Sequence, residues 1–474
     1  MTEIPLTMTD AAAAIRAGDL TSVALTEACM AAADRLDETL GVYIKRYDET
    51  ALAAAAAADA ELAAGVDKGP LHGIPIGIKD IIACAESETT GNSVVYDPTW
   101  YAGADAPVVA RLRAAGAIIT GKLTTMEYAC GLPDPDKPFP IPRNPWDTST
   151  WPGGSSSGSG AGVSAGLFLG ALGTDTGGSI RMPAAFCGIT GHKQTYGLVP
   201  KAGCLPLGVT LDHIGPMTRS VADAAAMLTV LAGFDPSDPS MPPGVTGEDY
   251  PAALTGDLTG MTVGIDLGQF LGNELDDPNL AGCMEAAVTA LTAAGATVVE
   301  VTLPLVDELG AACLVTAMTE AWAFHRPWMT ERWTDYGSFT RASVGAGILY
   351  TAADYAQAQK VRRIAAGRLQ SEVFSAVDVV LTPTACAGAP ALEGIEWDSF
   401  WKILYTAYWN CVGLPALSVP MGFTVGGLPL SLHIAGPAFA DAAVLKAGDA
   451  FQRLTDHHLA VPPLAAADAV AATA

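Results

Sequence analysis

The chain has 474 residues, half of them apolar and only 16% charged, a balance that supports a large buried core and excludes wholesale disorder. Fifty acidic residues against 25 basic ones give a formal net charge of −25, which repels phosphate backbones and anionic membrane surfaces, so neither nucleic acid nor a membrane is an expected partner. The nine cysteines, at 29, 84, 130, 187, 204, 283, 313, 386 and 411, form no C-x-x-C pair and read as reduced thiols. The opening MTEIPLTMTDAAAAIRAGDL lacks a basic start followed by an apolar stretch and a cleavage site, so a cytoplasmic location is expected. The apolar run 163–172 is broken by Gly166 and Gly170, and no membrane-spanning helix is expected.

In chain order, residues 8–64 read as helices wrapped around the outside of a core. Thr9 is a candidate cap, Gly18 and Asp19 break the first helix, and ALAAAAAADAELAA has maximal helix propensity. From Gly69 short apolar segments alternate with helical ones, at 74–82, 108–115 and 117–121, before a small-residue helix near 160–169. This alternation predicts an α/β fold. Beyond the Pro-rich loop 235–247, MTVGID and ATVVEVTL read as strands on either side of a helix over 280–294. VDVVLTPT, ALSVPMGF and LPLSLHIAG are three more apolar strands that find sheet partners most easily in the first half. The expectation is one large α/β domain with a mixed sheet, over 65–463, joined by the helical wrap 1–64 and followed by a frayed Ala-rich tail, 464–474.

The informative stretch is GGSSSGSGAGVSAGLFLGALGTDTGGSIRMPAAFCG, residues 153–188. A phosphate-binding loop needs a Lys after its last Gly, and none occurs between Lys137 and Lys193. Gly160-x-Gly162-x-x-Ala165 fits a loose dinucleotide fingerprint, but TSTWPGG before it cannot be the buried strand that fingerprint requires. Gly154-x-Ser156-x-Gly158 satisfies the nucleophile-elbow pattern, yet Pro152 and its glycines deny the incoming strand. The Ser-x-x-Lys at Ser399 and Lys402 lacks companion motifs and reads as helix surface.

What remains is two glycine-rich turns joined by a tightly packed helix, each turn presenting a serine to one site. In the second turn, Thr176-Gly177-Gly178-Ser179, side-chain-free glycines let consecutive N–H groups point at one developing oxyanion; taken alone, a tight strand-to-helix connection without chemistry is the better account of the turn. A serine nucleophile needs a base. The contexts of His72, His192, His213, His325, His433, His457 and His458 offer no obvious one. Lys79, in LHGIPIGIKDII, lies on a strand with almost no other charge, where burial disfavours the ammonium. On the residues alone, a salt bridge between Lys79 and Asp80 competes evenly with that role.

Together these segments closely resemble the amidase-signature family. Its Gly-Gly-Ser-Ser turn and Gly-Thr-Asp-x-Gly-Gly-Ser-Ile-Arg-x-Pro motif are matched over 153–183, with Ser155 and Ser179 twenty-four positions apart. GIPIGIKD, GKLTTMEYACG, RNPWD, GLVPKAGCLPLGVTLDHIGPMTRSVADAA, VDVVLTPT and GLPALSVPMGF extend the likeness over about 65–450. The resemblance implies a sheet covered by helices on both faces and a serine hydrolase needing no metal or cofactor. In it, neutral Lys79 takes a proton from Ser155, whose peptide bond is cis in the family, and Ser155 takes one from the nucleophile Ser179. The N–H groups of Thr176, Gly177, Gly178 and Ser179 would form the oxyanion hole, while Asp175 and Arg181 would brace the turn.

Met126, Tyr128, Cys130 and Gly131 match the family's substrate-side helix and are expected at the acyl pocket. Where the glutamine-hydrolysing subunit of transfer-RNA amidotransferases carries an aspartate for its substrate, alignment on GLPALSVP brings Ile403, within the aromatic and apolar stretch WKILYTAYWN. The resemblance therefore implies a small uncharged amide, anilide or carbamate substrate, as in aryl acylamidases and urethane-cleaving relatives, acted on by a monomer or homodimer. The glutamine-hydrolysing subunit is the alternative.

Overall fold

Short β-branched and glycine-containing runs supply the strands, and the computed structural model, which describes residues 5–396 and 401–466, gathers eleven of them into one sheet. They are β1 (Tyr43–Arg46), β2 (Pro75–Lys79), β3 (Ile118–Leu123), β4 (Gly170–Asp175), β5 (Thr190–Lys193), β6 (His213–Thr218), β7 (Thr262–Ile265), β8 (Thr297–Glu300), β9 (Val379–Pro383), β10 (Ala416–Phe423) and β11 (Pro429–Ala435). Their spatial order is β1-β3-β2-β4-β6-β5-β10-β11-β9-β7-β8. β2 runs parallel to β3 and β4, β4 antiparallel to β6, and β7 parallel to β8 and β9, so the sheet is mixed. It runs unbroken from strands before the 235–247 loop to strands after it. Every residue of β2, β3 and β4 is buried, as expected where helices cover both faces.

The N-terminal 64 residues differ in part from the sequence reading. They hold three helices, Met8–Ala17, Ser22–Leu40 and Asp48–Ala63, but also β1, which pairs with β3 and makes the sheet edge. Four residues between two strong helices are too short to show a period. The first helix is capped by Thr7, whose hydroxyl accepts from the Asp10 N–H, rather than by Thr9, which instead donates to Asp223. The alanine helix buries Ala51, Ala55 and Ala58 against Ile118 of β3, which explains why a run without large side chains still docks. Apolar segment 108–115 is a helix, Pro107–Ala114, started by its proline. Of the C-terminal tail, residues 467–474 lie outside the described residues. No described helix is long and apolar enough to cross a membrane.

Because β2 and β4 are parallel neighbours, with Ile78 opposite Leu172, both end at the same edge of the sheet. Lys79 closes β2 and Asp175 closes β4. Functional groups in open α/β sheets gather beyond such strand ends.

Candidate active site

Two turns meet at that edge. The first, 153–156, leads into the helix Ser157–Ala165, whose glycines allow a close approach: a Cβ on Gly158 would stand 2.6 Å from both the Thr124 hydroxyl and the Val42 carbonyl. The Gly154–Ser155 peptide is cis. The second turn, 176–179, connects β4 to the short helix Arg181–Cys187. The Ser156 N–H donates to the Ser179 carbonyl at 3.3 Å, so the two serine turns touch backbone to backbone.

Lys79 is fully buried, and its Nζ lies 2.6 Å from Ser155 Oγ, 2.7 Å from Thr174 Oγ1 and 2.9 Å from Ser156 Oγ. Burial pushes the Lys79 amine down to about 7, against the pull of the Asp175 and Asp212 carboxylates. The competing ion pair with Asp80 does not form: Asp80 is paired with Lys122 at 2.9 Å. None of the seven histidines lines the cavity described below.

Geometry also separates the serines that sequence left equivalent. Ser155 contacts Lys79 and lines the cavity; Ser156 contacts Lys79 but is wholly buried; Ser157 donates to the Gly153 carbonyl at 2.6 Å. Ser179 lines the same cavity as Ser155.

A buried network braces the second turn. Arg181 donates to Asp175 through Nη2 at 2.9 Å and Nε at 3.0 Å, to Asn410 Oδ1 at 2.5 Å and to the Thr406 carbonyl at 2.9 Å. Burial alone would raise the Asp175 carboxyl, but the Arg181 guanidinium outweighs it and holds the group well below the usual carboxylate range. Asp175 also accepts from the Gly178 N–H at 2.7 Å and the Ile180 N–H at 3.1 Å. This corrects the expectation for Gly178: its N–H is engaged by the carboxylate, leaving Thr176, Gly177 and Ser179 as the expected oxyanion donors. Gly178 adopts φ +136°, and a Cβ there would fall 2.1 Å from the Thr406 hydroxyl, so the position accepts only glycine.

The cavity beyond the serines has a volume of about 530 Å³, and its wall is largely apolar, with Trp151, Met182, Leu207, Leu314, Met318 and Leu404 prominent. Cys130 and Gly131 reach it as expected; Met126 and Tyr128 do not. The Met126 N–H is bonded to the Ser155 carbonyl and its side chain packs behind Gly154, while the Tyr128 hydroxyl donates to the Val95 carbonyl and its ring packs on His325. A turn with positive φ at Tyr128 and Ala129 replaces the expected regular helix and turns these side chains inward. Ile403 is buried off the cavity wall, whereas exposed Lys402 lines the cavity instead of a plain helix surface; Ser399 lies outside the described residues.

Sequence reasoning missed Thr174, Asp212, Thr406 and Asn410. Only Thr174 left a local signal, a hydroxyl following the small and apolar GALG on the strand beside Lys79. Among the described residues no three His, Cys, Asp or Glu side chains are grouped to hold a metal ion.

The Amidase family model matches residues 24–445. The glutamyl-tRNA(Gln) amidotransferase A subunit of Chloroflexus aggregans is 40% identical, covering 98% of this chain and all of that relative. A putative amidase AmiD of Mycobacterium bovis is 39% identical, covering 97% of this chain and 96% of that one. The structure of the peptide amidase of Stenotrophomonas maltophilia superposes with a TM-score of 0.81 at 31% identity, over 95% of this chain and 98% of that one. With the family motif, the fold and these likenesses in agreement, the chain belongs to the amidase family, the enzymes that carry the amidase signature.

Proposed function

We propose that this amidase cleaves the C–N bond of an uncharged amide, anilide or carbamate whose acyl part is apolar, through an acyl-enzyme on Ser179. The observation that carries the reading is the partner set of Lys79: among the described residues, three hydroxyls and no carboxylate in hydrogen-bond contact, with one of those hydroxyls, Ser155, facing the cavity. Neutral Lys79 accepts the Ser155 proton as Ser155 accepts that of Ser179, whose Oγ attacks the carbonyl carbon. Negative charge develops on the carbonyl oxygen, towards the N–H groups of Thr176, Gly177 and Ser179, each donor contributing a factor of about 100 or more in rate. The proton held at Lys79 returns through Ser155 to the leaving nitrogen as the C–N bond breaks. Water, deprotonated by the same relay, then releases the carboxylic acid and restores Ser179.

A second reading, hydrolysis of glutamine within an amidotransferase complex, is favoured by the full-length likeness to an amidotransferase subunit. The largely apolar wall supports the first. The deciding measurement compares a medium-chain acyl 4-nitroanilide with glutamine on the purified chain, with a fluorophosphonate to trap the nucleophile. Anilide turnover and labelling at Ser179 are the expected results; glutamine turnover without anilide turnover, or labelling elsewhere, sinks the proposal.

A further inference from the structure

The loop before β6 brings a carboxylate to the back of the site. Asp212 accepts from the Thr176 hydroxyl at 2.6 Å and from the Leu207 and Gly208 N–H groups at 3.0 Å each. Thr176 and Leu207 both line the 530 Å³ cavity, and both also line a second cavity of about 200 Å³. Asp212 lines the second cavity, together with Thr174, one of the three hydroxyls at Lys79. One carboxylate thus ties together the partition between the two spaces.

Resting on the relay proposed above, we infer that Asp212 is a positioning residue: it fixes the oxyanion turn through the Thr176 hydroxyl and supplies negative potential at the Lys79 amine.

The charged and titratable surroundings are few. From the loop after β5, Lys201 Nζ sits 4.2 Å over the Tyr196 ring and donates to the Asp212 carbonyl at 3.4 Å. The Cys204 thiol, pushed up to about 12 by burial, is uncharged at neutral pH. His213, next in the chain, is held neutral by burial and by Lys193 on β5. On β2 stands Lys79, and at the end of β4 Asp175, whose charge Arg181 already matches. The side-chain oxygens of Asp212, by contrast, accept from neutral donors alone among the described residues. Its charge, offset through space by Lys201, favours the Lys79 ammonium, as that of Asp175 also does.

The test is the pH dependence of kcat and KM for 4-nitroanilide hydrolysis by Asp212→Asn, Thr176→Val and Thr176→Ser, with Ser179→Ala as control. The active form of Lys79 is the neutral amine, so activity is lost on the acid side of about pH 7. Removing the Asp212 charge destabilises the ammonium, and the acid limb moves to lower pH by about half a unit. In the same variant kcat falls about tenfold, because a side-chain amide cannot accept from the hydroxyl and both backbone donors. Thr176→Val keeps the charge: kcat falls with KM and the acid limb in place, and Thr176→Ser restores the rate. An acid limb that stays fixed or moves upward in Asp212→Asn overturns the inference. So does an undiminished kcat in Thr176→Val, which decides the matter if Asp212→Asn does not fold. Anilide turnover by Ser179→Ala would instead overturn the relay itself.

Discussion

Lys79 and Lys122 stand on adjacent parallel strands, are both buried and differ in almost nothing but their partners. Lys122 donates to the Ile82 carbonyl at 2.7 Å and the Thr89 hydroxyl at 2.9 Å, and closes its shell with the Asp80 carboxylate at 2.9 Å. Lys79 has only hydroxyls among the described residues. Burial by itself therefore does not make a base. In one place a carboxylate partners the buried amine; in the other desolvation is left uncompensated at close range and the neutral amine becomes accessible near pH 7. Asp80 and Lys79 are neighbours in sequence, yet Lys122 pairs in register with Ile78 and so faces away from Lys79, and Asp80, in the turn that follows β2, joins Lys122 there.

The most severe way to break this contrast is to remove the proposed base. Lys79→Met is expected to lower kcat/KM for a 4-nitroanilide by about 10⁴-fold, near the upper end of general acid–base effects, but for an activated ester by only about 10²-fold. The difference arises because an activated leaving group departs without a proton. Equal losses on the two substrates would remove Lys79 from the relay.

Lys122→Met attacks the other member. It leaves the Asp80 carboxylate buried beside Thr90 and without a cation, and stability should fall by about 3–5 kcal/mol in urea melts. Activity per folded molecule should change less than about threefold, since no part of the Lys122 shell touches the cavity. A large fall in kcat at full stability would erase the distinction between the two lysines.

Thr174→Asp converts one environment into the other by placing a carboxylate beside Lys79. The ammonium gains a partner, so the folded-state titration moves up from about 7 and the neutral fraction at pH 7 shrinks. A rise of about two units corresponds to a roughly 100-fold loss at pH 7, recovered towards pH 9. A loss that alkaline pH does not recover would point to distortion of the turn.

Much of this frame was legible in the sequence. The strand-and-helix alternation gave the mixed sheet, and the 153–183 motif gave both serine turns, because those features are local or carried by a long contiguous pattern. Contacts made at long range were not. β1 became a strand through pairing with residues 121–123, nearly eighty positions away. Met126 and Tyr128 matched the substrate-side segment, but a turn with positive φ decided which way their side chains point. Gly178 carried the right residue type for an oxyanion donor; only the position of Asp175 shows that its N–H is engaged. The choice between ion pair and base for Lys79 needed the location of Lys122, forty-three residues downstream.

Ser156→Ala probes the finest part of the contrast, the bookkeeping of hydrogens at Lys79. Ser156 Oγ donates to the Thr174 carbonyl at 3.2 Å, so towards Lys79 it is an acceptor. A neutral amine has two hydrogens and one lone pair. If Ser156 and Thr174 take the two hydrogens, the lone pair is directed at Ser155 Oγ, 2.6 Å away, in the orientation that proton abstraction requires. Removing the Ser156 hydroxyl loosens that orientation without changing the charge near Nζ. The anilide kcat should therefore fall about tenfold while the acid limb stays near pH 7, a combination that separates orienting the amine from tuning it. A shift of the acid limb by more than about half a unit would show instead that the Ser156 hydroxyl stabilises one protonation state over the other.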